Sequence, residues 1–194
     1  MKKLLLPCLL IALSLFSITA QAQNLKTLET NNGFKTHKLG SKYTSLYGVK
    51  SKDENGAEKV VITYTTDKIG EIPIRRIELF YLNDTLAKIL VHVSPENYTK
   101  LIEACKSSFG PPNADLSDNE ATRKAKNEAV NSGNNYKDNY IWKPKKFSME
   151  YFYTYPKVNG SAYSARELYL NYSLNDYTQR LKRVKNGNYT GKDF

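Results

Sequence analysis

Residues able to do covalent chemistry are few in this chain. Cys105 falls among Tyr98, Leu101, Ile102 and Phe109 at spacings of three and four, the apolar stripe of a helix. A thiol placed there is expected to be a small core residue, because free cysteine is among the most buried residue types and reacts only as an accessible thiolate. No G-x-S-x-G turn offers an activated serine in its place. The two histidines, His37 and His92, stand far apart without H-E-x-x-H or C-x-x-C, so no zinc-type ligand set is spelled out. Asp115, Asp118 and Glu120 come nearest to clustered oxygen ligands, but they lack the EF-hand spacing and its glycine. No phosphate-cradling glycine loop occurs. The sequence therefore leads to the expectation of no catalytic residue, no metal and no cofactor.

Acid–base pairs are the one enzymatic chemistry left open. Glu78, Glu150 and Glu167 sit in strand-like runs and could approach one another across a sheet, as the paired carboxylates of a glycoside hydrolase do. Each also occupies a polar position of an amphipathic strand, where a solvated or lysine-paired glutamate is the ordinary arrangement. An envelope hydrolase using strand carboxylates stands as the alternative to a non-catalytic reading.

Surface character points to binding. Fifteen tyrosines and a formal net charge of +10 suit recognition of an anionic partner, with rings that stack and cations that neutralise. The side chains selected for such a surface are Phe152 and Tyr169 with Arg180, Lys182 and Arg183, since aromatic and arginine residues lead among binding hot spots. Tyrosines at alternating strand positions also serve simply to pack a ring and wet a hydroxyl. The partners that fit are an envelope protein, an anionic polysaccharide or lipid headgroups; export sets nucleic acid aside.

These side chains need elements to hold them. Lys59 to Thr65 reads as a strand. Arg76 to Leu82 and Leu86 to Val93 both alternate, with Asn83-Asp84 between them as the turn pair of a β-hairpin. One face takes Ile77, Leu79 and Tyr81 with Ala87, Ile89, Val91 and Val93. The other takes Glu78, Phe80, Lys88 and His92 and is expected to be partly solvated. Ser94-Pro95-Glu96 opens a helix through a Ser cap, a proline at the first position and an acid in the first turn, and Gly110-Pro111-Pro112 closes it. Residues 113–139 form a polar excursion, either helical from Asp118 to Val130 or disordered. Tyr140 to Lys143, Phe147 to Tyr155 and Arg166 to Leu174 return to strands of period two. The expected class is α+β, an antiparallel sheet of about five to seven strands with one main helix, about 95–109, on one face.

The N-terminus sets the compartment. Lys2 and Lys3, the apolar run Leu4 to Ile18 and the small-x-small site Ala20-Gln21-Ala22 read as a secretory signal peptide over 1–22. Its removal takes two lysines and no acid, so the charge falls from +10 to +8. Pro7 stands where a lipidated Cys8 would need a small residue. With only Cys105 remaining, no intrachain disulfide forms, which fits a bacterial periplasmic or secreted protein. The organisation is a flexible lead-in over 23–33, a single domain over 34–175 and a basic segment over 176–194 made of a short helix and a loose tail.

The order of apolar helix, Phe109-Gly110-Pro111-Pro112 stop, polar excursion and then Trp142 opening amphipathic strands is similar to the layout of small exported bacterial helix-on-sheet proteins. It resembles in organisation the outer-membrane assembly small lipoproteins and the β-lactamase inhibitory proteins across about 34–175. The chain departs from them in lacking a lipobox cysteine and a disulfide pair. The resemblance implies a binding role and transfers no site residue.

Overall fold

The computed structural model describes residues 25–45, 48–63, 65–115, 137–154 and 167–187. A helix α1 spans 25–31. Then come β1 (Gly33–Phe34), β2 (His37–Lys38), β3 (Ser51–Lys52), β4 (Glu58–Ile62), β5 (Lys68–Ile69), β6 (Ile72–Leu82) and β7 (Thr85–Val93). Helix α2 (Tyr98–Phe109), β8 (Ala114–Asp115), β9 (Lys137–Trp142), β10 (Phe147–Thr154), β11 (Leu168–Leu174) and helix α3 (Tyr177–Lys185) complete the order. Strands β3 to β11 build one nine-stranded sheet in the order β3-β4-β6-β7-β11-β10-β9-β8, with β5 pairing β6 off this path. Every pairing is antiparallel. The class is thus α+β, as expected, but among the described residues the main sheet has nine strands rather than five to seven and there are three helices rather than one main helix. The strands missed are two residues long, too short to show a period of two.

Two meanders meet at the centre. The first ends in β7; α2 then carries the chain to the far edge at β8, and β9, β10 and β11 return until β11 pairs β7. The buried face is continuous across six strands. Trp142, Met149, Tyr172, Ile89, Leu79 and Val60 pair successively in one row, and each is at most 3 % exposed. Continuous burial of this kind is the main favourable contribution to folding.

The β6–β7 hairpin turns on Asn83 and Asp84, both at positive φ (49° and 60°), the geometry of a two-residue type I′ turn. Its register shifts twice, between Ile74 and Arg76 and between Phe80 and Tyr81. At the second shift Phe80 pairs Lys88 while Tyr81 pairs Leu86, so Ala87 is the extra residue of a bulge. Ala87 therefore turns to the outer face beside Phe80 and Leu82, and Leu86 takes the place in the main core that the alternation gave to Ala87.

Helix α2 covers the inner face. A 3-10 turn at Pro95–Asn97 precedes it, and Ser94 has the extended backbone of a cap without a side-chain cap bond. Leu101 and Cys105 are buried, Tyr98 stacks on Tyr153 with ring centroids 5.0 Å apart, and Gly110 at φ 75° ends the helix. The Trp142 indole N–H donates to the Gly110 carbonyl at 2.9 Å. Strands β9, β10 and β11 match the expected runs, β9 starting earlier at Lys137. The stretch over 118–130, expected to be helical or disordered, and the leader over 1–22 lie outside the described residues.

The lead-in expected to be flexible carries a helix, and the C-terminal segment carries the short helix expected of it. In the lead-in, α1 buries Leu28 in the main core, and Asn32 at φ 45° stops it. In the basic C-terminal segment, α3 packs Tyr177, Leu181 and Val184 over Ala57, Phe80, Leu82 and Ala87. This second cluster sits on the sheet face expected to be partly solvated, and it leaves Phe80 at 6 % and Glu78 at 8 % exposure. Among the described residues no helix is long and apolar enough to cross a membrane.

Candidate functional site

On the outer face, strand pairing sets side chains in rows. One row runs Asn139, Phe152, Tyr169, His92, Arg76 across β9, β10, β11, β7 and β6. Within it Phe152 and Tyr169 stack, with centroids 4.7 Å apart and planes 20° from parallel. The His92 ring follows at 5.6 Å from Tyr169. Successive partners fall about 4.8 Å apart, close to the separation at which offset rings attract.

The next row supplies the charge. Glu78 lies diagonal to His92, and its Oε1 is 3.2 Å from His92 Nε2, at an angle short of a well-aligned hydrogen bond. Arg76 Nε reaches the same oxygen at 2.9 Å, and Lys59 Nζ lies 3.7 Å from Oε2. His92 above all, with Arg76 and Lys59, holds the Glu78 carboxyl down at about 2 against the opposing effect of burial. Glu150 is held differently: the side-chain amides of Asn139 and Asn171 donate to its two oxygens at 2.6 and 3.0 Å.

An open cleft of about 390 Å³ adjoins His92 and Arg76, bounded also by Thr63, Arg75, Glu167 and Leu168. Its walls mix apolar groups, Val93 and Leu168, with the cations Arg75 and Arg76 and the carboxylate Glu167. Burial raises the Tyr169 hydroxyl, with Glu150 and Glu167 adding to the effect, so Tyr169 stays a neutral donor in the physiological range.

Of the residues selected from sequence, the structure brings Phe152 and Tyr169 into contact. Arg180, Lys182 and Arg183 lie instead on α3. Arg180 pairs with Asp176 one turn earlier at 2.7 Å and is mostly covered, while Lys182 and Arg183 are exposed residues of the helix. Sequence reasoning placed Glu78 and His92 on this face but missed their association with Arg76 and Lys59. The signal was the shared parity of Arg76, Glu78, Lys88 and His92, unreadable as contacts without the register of both bulges.

The chain matches no family model, no curated protein and no solved structure. Function must be argued from these residues.

Glu78 and Glu150 occupy one row with β7 and β11 between their strands, so their backbones stand roughly 14 Å apart at the normal strand spacing. Paired carboxylates of glycosidases work at about 5–10 Å. A carboxyl held at about 2 is also ionised at neutral pH and has no proton to give. Burial pushes the Cys105 thiol up to about 12, leaving no thiolate for nucleophilic attack. Among the described residues, no three of His, Cys, Asp and Glu converge to hold a metal ion.

Proposed function

We propose that this chain is an exported, non-catalytic binding module of the periplasm or extracellular space, whose ligand meets the outer sheet face along Phe152, Tyr169, His92 and Arg76. One observation carries this reading: a stacked aromatic pair stands in line with a histidine and an arginine, and the row opens onto a cleft that Arg75 and Arg76 line. Aromatic platforms beside cations suit a ligand with flat faces and negative charge. The single carboxylate buried there is already matched by three neighbouring basic groups, so it stabilises the site and leaves Arg75 facing the cleft.

The test is binding of the purified protein to anionic glycans, to vesicles containing anionic lipid and to immobilised envelope proteins, across a salt series. Binding is expected to weaken with salt. Replacing Arg75 with Ala should weaken it about three- to tenfold with an unchanged melting temperature, since exposed charge contacts contribute modestly. Turnover of any glycan, peptide or ester by the purified protein, or failure to bind every member of the panel at low salt, would overturn the reading.

A further inference from the structure

A second cleft, of about 520 Å³, lies on the same sheet face where α3 crosses it. Its floor is a row that runs Lys59, Phe80, Lys88 across β4, β6 and β7. The two lysines flank the Phe80 ring from neighbouring strands, with backbones roughly 10 Å apart. Their situations differ. Lys59 is engaged with Glu78. Lys88 has no carboxylate or hydrogen-bond partner among the described residues; its ammonium rests 5.1 Å from the Phe80 centroid and 5.5 Å from that of Tyr177.

A lysine ammonium so placed is costly. Burial lowers the Lys88 pKa, which Glu150, Asp53 and Glu78 oppose only at longer range. Two ring faces attract a cation but return less than an ion pair does once water has been removed. The nearby carboxylates are committed elsewhere: Glu78 to its three basic neighbours, and Asp53 to the backbone N–H groups of Asn55 and Ala57 at 2.9 and 2.8 Å. The rest of the lining offers hydroxyl-binding groups. Glu54 and Asn55 stand on the exposed turn, and the Tyr177 hydroxyl, pushed up to about 12 chiefly by burial, remains a donor.

We propose that this cleft seats an acidic sugar residue of the uronate class, with its carboxylate on the Lys88 ammonium and its ring hydroxyls on Glu54, Asn55 and Tyr177. Charge balance selects the single carboxylate. Lys52, Lys59 and Lys88 line the cleft against Asp53, Glu54 and Glu78, so the lining as a whole carries no excess positive charge to draw in a dianionic phosphate. A monoanion that pairs with the one uncommitted ammonium and presents hydroxyls to carboxylate and amide groups matches it. The assignment rests on the binding-module reading, but it uses side chains separate from the Phe152–Tyr169 row and its cleft.

The experiment is calorimetric titration of the purified protein with glucuronate and galacturonate, their short oligomers, the neutral parent sugars and inorganic phosphate. Uronates should bind and neutral sugars should bind at least about tenfold more weakly, the loss of one charge-assisted contact. Lys88→Met should remove the uronate preference, and Lys88→Arg should restore part of it. Lys100→Met, which deletes an exposed charge on α2 on the opposite face, should change nothing. Glu54→Gln, on an exposed turn outside the packed core, should weaken binding about threefold, by impairing one acceptor, and keeps the test valid if Lys88→Met unfolds. Uronate affinity indifferent to both Lys88→Met and Glu54→Gln, phosphate binding more tightly than uronate, or no uronate binding at all would overturn the assignment. Loss of binding with Arg75→Ala but not with Lys88→Met would overturn it while leaving the binding-module reading intact.

Discussion

Glu78 and His92 meet on the outer face of the sheet with Oε1 and Nε2 3.2 Å apart, on adjacent strands that a bulge at residue 75 has shifted by one. Without that extra residue, the strand parity would send Arg76 and Glu78 toward the core beneath His92. The bulge lets a strand that buries Ile74 before it and Ile77 after it still assemble a charged cluster on its other side.

The cluster makes acid stability depend on Glu78. Its pKa falls from 4.5 to about 2 on folding, so the stability it contributes is complete above about pH 4.5 and is lost as pH falls toward 2. Urea denaturation of the wild type between pH 6 and 2.5 should show a loss of about 1–3 kcal/mol. In Glu78→Gln that part of the decline should be missing, and equal acid sensitivity in both proteins would refute the assignment.

Removing the C-terminal segment at Asp176 should unsettle the fold. From sequence the segment reads as a short basic helix and a loose tail; in the fold that helix, α3, covers Phe80, Leu82 and Ala87. Truncation is expected to lower stability by about 2–4 kcal/mol through exposed apolar area and to raise binding of a hydrophobic dye. A truncated chain with the wild-type melting temperature would contradict this packing.

Gly33→Ala should destabilise the N-terminal part of the core. A Cβ at residue 33 would lie 2.3 Å from the His37 carbonyl oxygen, and the φ of 139° is one that side chains rarely adopt. A cost of about 2–4 kcal/mol follows from the clash and the backbone strain together, measurable by thermal unfolding. An unchanged melting temperature would show that β1 and β2 do not approach as described.

Cys105 should be inert in the native protein. It is buried, and its thiol is pushed up to about 12 by loss of hydration. Labelling by a thiol reagent at pH 8 should follow the opening of the fold and accelerate in step with unfolding by urea. Rapid labelling in buffer would mean that α2 stands away from the sheet.

Much of this architecture was legible in the residues because each signal was local. The Asn83-Asp84 turn, the alternation of β6, β7, β10 and β11, and the Pro95 to Gly110 helix all follow from side-chain period and turn chemistry. The two-residue hairpin even contained the hint of its own bulge. An unbroken ladder from that turn would set Lys88 opposite Leu79, a charge on the core face, and only an extra residue between Leu86 and Lys88 reconciles the two alternations. What stayed hidden was long-range. The seven residues of α1 carry one fully buried side chain, Leu28, too little for a period to show. The docking of α3 depends on Tyr177, Leu181 and Val184 meeting a face that also carries Glu78 and Lys88, which looked like a face for water. The stacked pair of Phe152 and Tyr169 was recoverable from strand alternation, whereas its alignment with His92 and Arg76 required the order of the strands.

The Trp142 indole rests its N–H on the carbonyl of Gly110, where α2 ends, and the sequence holds no other tryptophan. Its emission is therefore an optical gauge built into one joint of the molecule. Separation of the helix from the sheet would wet that ring and shift its fluorescence to the red, so helix undocking can be timed in the unlabelled protein against other signals of unfolding.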